Sequence, residues 1–548
     1  MKVIIVGGVA GGASSAARLR RLDEKAEIIM LERGEFISFA NCGLPYYIGG
    51  DIEDRDELEL QTPDSFKERF NVEVRVLSEV VEIDAAGRTV RIRNAITGDV
   101  YSENYDKLIL SPGAKPIVLP VEGASHPKVF TVRTIPDAVR IREFIDNEKP
   151  SDAVVVGGGY IGVEMAENLR RAGLDVTVVD AADHVIAAID YDIACDVHNY
   201  MRKMGVNLLL NNGLKAIVEK DEKLCVKLQN SELSADMAIM AVGVKPDTQL
   251  ASEAGLRLNS RGAIIVDESM RTSDEHIYAV GDAVEITEFV TGQPGVIPLA
   301  GPANRQGRIA ADNICGLDSK YKGTQGSAVV KIFDMTVAVT GITESVAKAR
   351  GLDYDKAFTY SASHAGYYPG GTNMSVKTIF EKKTGRILGA QIAGFDGADK
   401  RCDVLAVAIR AGMTAQQLTE LELCYAPPFS SAKDPVNFAG FVIENCLTGK
   451  MKQFHWHDVD TLPRDGTVTL LDVRTPAEFK AGHIDGFVNI EVDKLRENIG
   501  GLDRLKPVYA HCHSGLRSYI ACRILMQNGF DCYNLSGGYR LYSAITGI

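Results

Sequence analysis

The run Ala153-Val154-Val155-Val156-Gly157-Gly158-Gly159-Tyr160-Ile161-Gly162 leaves this chain little freedom in how it folds. A short β-branched run predicts a buried strand, and glycines at 157, 159 and 162 have the spacing of a tight turn that opens a helix. The next apolar run, Val176 to Val179, ends on Asp180. Together these specify a parallel α/β unit that holds a dinucleotide pyrophosphate on backbone amides and a ribose on the acid. An acid at this point favours the free 2′-hydroxyl of NAD, so NADH is expected; the nearby His184 leaves NADPH as the alternative.

A second unit of the same kind opens the chain. Lys2 to Val6 is a short apolar strand followed by Gly7-Gly8-Val9-Ala10-Gly11-Gly12, with Val9 where the middle glycine would stand. Glu32 ends the following run, Ile28 to Leu31, and can accept from a ribose. Two units imply two different dinucleotides. Residues 236–247 close the inserted one. His276 to Ala283 then reads as a strand entering a Gly281-Asp282 turn, where the acid can hold a hydroxyl.

In this order these residues resemble the pyridine nucleotide–disulfide oxidoreductase family. The resemblance implies an α/β chain with two Rossmann-like domains, an α+β dimerisation domain and, from the C-terminal residues below, an α/β rhodanese domain. FAD would occupy residues 1–115 and 248–324, NAD(P)H residues 116–247, and the dimerisation domain residues 325–447. The implied cofactor contacts are Gly7, Gly8, Ala10, Gly11, Gly12, Glu32, Arg33, Ala114, Gly281, Asp282, Pro298, Leu299 and Ala300 for FAD, and Gly157, Gly159, Gly162, Asp180 and Gly243 for the nicotinamide nucleotide. A homodimer is implied, with Tyr367 or Tyr425 of the partner subunit reaching the active site as a proton donor.

Within the first unit lies Ser38-Phe39-Ala40-Asn41-Cys42-Gly43-Leu44-Pro45-Tyr46. A helix starting at Pro45 would lower the pKa of Cys42 and favour the nucleophilic thiolate. Position 47 is tyrosine, which excludes a CxxxxC dithiol; Cys42 must cycle through a mixed disulfide, a persulfide or a sulfenic acid. On the preceding helix Ser14, Arg18 and Arg21 share one face and suit an anion. The stretch around Cys42 resembles coenzyme A disulfide reductases, which implies coenzyme A contacts at Ser14, Arg18, Arg21, Ser38, Phe39, Asn41, Asn304 and Arg308.

Residues 448–454 read as a linker and 455–548 as a separate domain. Leu471-Asp472-Val473-Arg474, Glu478-Phe479, Gly482-His483-Ile484, Cys512 to Arg517 and Leu535-Ser536-Gly537-Gly538 resemble the rhodanese domain throughout. The loop after Cys512 curls amides round a sulfur anion, with Arg517 adding charge. Cys522 and Cys532 lack that setting and read as core residues. These parts imply FAD- and coenzyme A-dependent reduction of a persulfide or polysulfide, such as coenzyme A persulfide, to sulfide by NADH through Cys42, with Cys512 binding or presenting sulfane sulfur. A plain coenzyme A disulfide reductase, an NADH oxidase or peroxidase, and a non-catalytic C-terminal module remain alternatives.

The net charge of −13 argues against a nucleic-acid partner. No apolar run reaches membrane-spanning length, and the N-terminus runs straight into a strand without a leader-like segment. Ten scattered cysteines without a metal-like pair fit a reducing cytoplasm and no metal.

Overall fold

The computed structural model describes residues 1–548. It divides into two compact units, Met1–Val185 with Gly205–Gly326, and Ile186–Met204 with Ser327–Ile548.

The first unit holds two parallel five-stranded sheets of like plan. In one, Lys2–Val6 lies between Glu27–Leu31 and Lys107–Leu110, with Glu73–Arg75 and Ile277–Ala279 at the edges. In the other, Asp152–Val156 lies between Asp175–Val179 and Met237–Met240, flanked by Val206–Leu209 and Val129–Phe130. Covered on both faces, the central strands are continuously apolar, and Val3, Ile4, Ile5 and Val155 are fully buried. Each central strand runs through its glycine turn into a helix, α1 (Ala10–Leu22) and α3 (Tyr160–Arg171). Helix α2 (Leu44–Gly49) lies between them in sequence, and α4 (Ala300–Ile314) returns against α1. That approach is close: a Cβ on Gly307 would fall 2.5 Å from the Gly11 carbonyl oxygen. Arg20, on the far side of α1, is buried and spends its guanidinium on the carbonyls of Asp23, Glu24, Ala26, Phe70 and Asn71.

The second unit contains an antiparallel five-stranded sheet in the order Ala328–Ile332, Met335–Gly341, Ile387–Gly394, Asn373–Glu381, Tyr354–Ala362. The helix Tyr191–Lys203 is grouped with this sheet rather than with the dinucleotide unit that surrounds it in sequence. Buried charge ties it there: the fully buried Lys377 ammonium meets Asp190, Asp192 and Glu344 at 3.0, 2.8 and 2.6 Å.

A third parallel sheet follows in the order Lys452–Phe454, Cys532–Leu535, Val508–His511, Thr469–Asp472, Val488–Asn489. The last three residues of the expected linker are therefore an edge strand of this sheet. Helix α5 (Leu516–Gln527) follows the Val508–His511 strand.

Candidate functional site

Both glycine turns are built alike. Gly7 and Gly157 take positive φ of 97° and 105°, and a Cβ on Gly12 or Gly162 would lie 1.9 Å from their carbonyl oxygens, so the helix can approach the strand only if those positions stay bare. Glu32 accepts from the amides of Gly8 and Gly34, both at 2.9 Å. Asp180 accepts from those of Gly158 and Ala182 at 2.6 and 2.8 Å. Neither α1 nor α3 has a side-chain cap, whereas Thr62 and Thr134 cap other helices of this unit. Their first-turn amides thus keep their capacity for an anion. A Cβ built on Gly159, the residue capping α3, meets nothing within 4 Å, which is the open approach a pyrophosphate needs. The donor sets therefore fit FAD and NAD. Val9, at the missing glycine, is the residue ahead of α1 and makes no side-chain cap.

The remaining cofactor candidates lie around these turns. Arg33 pairs with Asp247 at 2.9 Å. Ala114 pairs in register with Pro246, and Gly243 turns into that short strand with φ 108°. Gly281 has φ 83° and donates to Gln306; burial raises the pKa of the adjoining Asp282, opposed by Arg133. Pro298 and Leu299 lead into α4, which Ala300 begins.

Cys42 sits in a short turn, Asn41–Gly43, directly ahead of α2, and the residue is exposed. The expected lowering of its pKa is not found. Partial desolvation of the thiol, with the carboxyls of Glu164 and Asp282, pushes it up. At the fifth position on, the Tyr47 ring lies under Arg142, whose guanidinium carbon is 5.2 Å from the ring centre. Arg133 was not marked by any motif, yet it stands at this site: with the Asn41 amide turned to satisfy both neighbours, its oxygen accepts from Arg133 at 3.0 Å and its nitrogen donates to the Phe39 carbonyl at 3.1 Å.

A cavity of about 440 Å³ opens between α1, α4 and the helix Pro63–Phe70. Of the residues expected to contact coenzyme A, Ser14, Arg18, Arg21, Ser38, Asn304 and Arg308 line it; Phe39 and Asn41 do not. Ser14 donates to Asn304 at 2.7 Å, and Arg18 pairs with Asp312 at 2.7 Å. Ser38 holds a left-handed φ of 45°, a strained conformation for a side-chain-bearing residue and of a kind that clusters at ligand sites. Gln61, Phe66, Arg69 and Phe70 also line it. They come from a stretch that carries no recognisable motif, and only the tertiary fold brings them to the basic face of α1. Cationic groups with two phenylalanine rings suit a phosphorylated nucleotide.

In the second unit the Tyr367 and Tyr425 loops meet. Both rings are exposed, and their hydroxyl oxygens lie 3.1 Å apart. Arg401, buried beneath, holds both loops: it donates to the Ser363 carbonyl at 2.9 Å and to Ser430 Oγ at 3.1 Å while pairing with Asp434 at 3.1 Å.

The Cys512 loop is also preformed. Cys512 is 1% exposed, and its Sγ accepts from the Gly515 amide at 3.1 Å and from Ser518 Oγ at 3.3 Å. Gly515 caps α5 with φ 101°. Arg517 grips Glu478 through both nitrogens at 2.7 and 2.6 Å, and that pair holds the Glu478 carboxyl down at about 2. Tyr539 and Arg540 amides close the loop from behind by donating to the Cys512 and His513 carbonyls. His511 is fully buried 3.5 Å from Asp472; burial lowers its pKa to about 4, so it is neutral near pH 7. Cys522 and Cys532 are fully buried, as read from the sequence.

Comparison with known proteins covers almost the whole chain. Residues 1–307 match the family described as pyridine nucleotide-disulphide oxidoreductase, 327–435 its dimerisation domain and 456–545 the rhodanese-like domain. Coenzyme A disulfide reductase of Staphylococcus epidermidis is 38% identical over 443 residues, 80% of this chain and 99% of that one. The crystal structure of reduced CoADR-RHD of Bacillus anthracis matches with a TM-score of 0.97 and 49% identity, covering 100% of this chain and 98% of that one. A NAD-dependent persulfide reductase from A. fulgidus matches with a TM-score of 0.93 and 38% identity, covering 99% of this chain and 100% of that one. No helix is long and apolar enough to cross a membrane.

Proposed function

The chain belongs to the pyridine nucleotide-disulphide oxidoreductase family, and from that premise we propose that it is an FAD- and coenzyme A-dependent NADH:persulfide or polysulfide reductase. It is an oxidoreductase acting on sulfur groups, with a rhodanese domain on the same polypeptide. The observation that carries the finer reading is the Cys512 loop, whose amide and hydroxyl donors already converge on the sulfur. Such a nest stabilises a persulfide anion, and the function it serves is delivery of sulfane sulfur.

The chemistry supplied by bound FAD and NADH is delivery of two electrons by hydride transfer. The chain's own residues do the rest. Unpaired Arg21, Arg69 and Arg308 bind the phosphates of coenzyme A, while the phenylalanines pack its base. The Cys42 thiolate attacks the sulfur–sulfur bond, a mixed disulfide or persulfide forms on Cys42 as sulfide or coenzyme A leaves, and the two electrons supplied would restore the Cys42 thiolate. Tyr367 and Tyr425 of the partner subunit hold the proton for that leaving group. Asp180 favours NADH, and the ten free cysteines fit a reducing cytoplasm.

Anaerobic NADH oxidation with sulfide detection tests this, with coenzyme A persulfide, polysulfide and coenzyme A disulfide compared. Faster turnover on persulfide, lost in Cys42→Ser and slowed in Cys512→Ser, is the expected result. Turnover confined to the disulfide would reduce the assignment to coenzyme A disulfide reductase.

A further inference from the structure

Two thiols that the proposed reaction does not use face each other inside the rhodanese domain. Cys522 lies midway along α5, and Cys532 begins the strand Cys532–Leu535. Both are fully buried, and the Cys532 thiol donates to Cys522 Sγ at 3.1 Å. We infer that Cys522 and Cys532 form a redox-active dithiol that closes to a disulfide when the enzyme meets short inorganic polysulfide.

Geometry carries the inference. A disulfide needs its sulfurs about 2.05 Å apart, so closure asks a movement of roughly 1 Å of side chains already aimed at each other. The helix and the strand that carry them pack in one apolar cluster, which also contains Cys512. Ser518, one turn before Cys522 on α5, donates to Cys512 Sγ. The pair is thus built under the loop where sulfane sulfur would be held, and closure would pin α5 to the strand behind it. Burial beside the Cys532 thiol raises the Cys522 pKa, and the resting pair is the dithiol.

The chemistry balances with the polysulfide as oxidant. The Cys522 thiolate attacks one sulfur of HS–SH, forming a Cys522 persulfide and expelling hydrosulfide. The Cys532 thiolate then attacks the Cys522 sulfur, forming the disulfide and expelling a second hydrosulfide. Two thiols are oxidised by two electrons, one S–S bond is reduced, and the two thiol protons leave with the two sulfides.

The inference is independent of the role of Cys42. It is tested on the flavin-loaded full chain, incubated anaerobically with inorganic polysulfide at mildly alkaline pH, then denatured in iodoacetamide and digested with trypsin. Arg517, Arg523 and Arg540 place the two cysteines on separate peptides, Ser518–Arg523 and Ile524–Arg540. The expected product is those peptides linked, two hydrogens lighter than their sum and separated by dithiothreitol. In Cys532→Ser the second step is blocked, so Cys522 should be recovered with one extra sulfur. Full carbamidomethylation of both cysteines in the wild-type chain, under conditions that convert Cys512 to its persulfide, would overturn the inference whether or not the variant folds.

Discussion

The phenolic oxygens of Tyr367 and Tyr425 lie 3.1 Å apart although 58 residues separate them in the chain. The hydrogen bond to Tyr425, first, raises the Tyr367 pKa, so Tyr367 stays protonated through the neutral range. Replacing the donor should cost about 100-fold in turnover, the scale of one general acid. Tyr367→Phe, Tyr425→Phe and the double variant should be strongly non-additive, the double scarcely worse than the worse single, because the two hydroxyls act as one unit. Steady-state kcat on coenzyme A disulfide measures it.

Arg401 is the buried support of both tyrosine loops. Arg401→Ala leaves Asp434 charged and buried, at a cost of about 3 kcal/mol. Thermal melting should show that loss, and turnover should fall although Arg401 touches no substrate. Arg401→Lys should recover part of the stability and less of the turnover, since an ammonium cannot hold Asp434 through two nitrogens while also bonding Ser363 and Ser430.

Glu164 should make stability depend on pH. Burial, with Glu167 adding and the Tyr46 hydroxyl at 3.4 Å opposing, raises its carboxyl from 4.5 to about 7. An acid raised on folding binds its proton more tightly in the folded state. Its contribution to stability is therefore greatest below pH 4.5 and declines as the pH climbs through about 7, by at most about 3 kcal/mol. Glu164→Gln should flatten the fall in melting temperature between pH 4.5 and about 7. Removing that carboxylate should also speed alkylation of Cys42 at neutral pH, since the acid helps raise the thiol.

The cavity arginines should separate binding from chemistry. Arg21→Ala, Arg69→Ala and Arg308→Ala should each raise KM for coenzyme A disulfide about tenfold with kcat little changed, as expected for loss of a phosphate contact made equally in ground and transition states. Arg18→Ala should also lower stability, because it leaves Asp312 without its partner.

Arg517→Ala should slow sulfur transfer to cyanide by roughly tenfold or more, the loss of one charge-assisted contact. Glu478→Gln should have a smaller effect, leaving the cation present but less firmly held. Because the Glu478 carboxyl is held down at about 2, its stabilising pair is fully present above an ordinary glutamate's 4.5 and is lost only as the pH falls through about 2.

Much of this was legible in the sequence because backbone geometry dictated it. Glycines that cannot accept a Cβ, acids at strand ends and the Cys512 loop are local patterns, and they marked both dinucleotide turns and the sulfur nest. Ser14, Arg18 and Arg21 could be placed on one face by helical spacing alone. Arg69 and Phe66 could not, since their part in the cavity depends on which helix packs beside α1. The strand Tyr354–Ala362 is hard to read for a related reason: its alternation is broken by the buried polar residues Lys356 and Thr359. Arg133 likewise acquires meaning only beside Asn41 and Asp282. The helix-dipole argument for Cys42 missed the partial desolvation of the thiol and the nearby carboxyls of Glu164 and Asp282, which spacing along the chain does not reveal.

The edge strand Lys452–Phe454 sets where the C-terminal domain can be cut. It pairs along Cys532–Leu535, and Met451, itself buried, receives the Asn534 amide on its sulfur at 3.3 Å. A fragment starting at His455 would strip that partner away and leave an apolar strand with its amides and carbonyls bare, ready to pair with another molecule. The portable module therefore begins at or before Met451, and a graft or truncation made at the apparent composition boundary should give aggregates rather than a working sulfurtransferase.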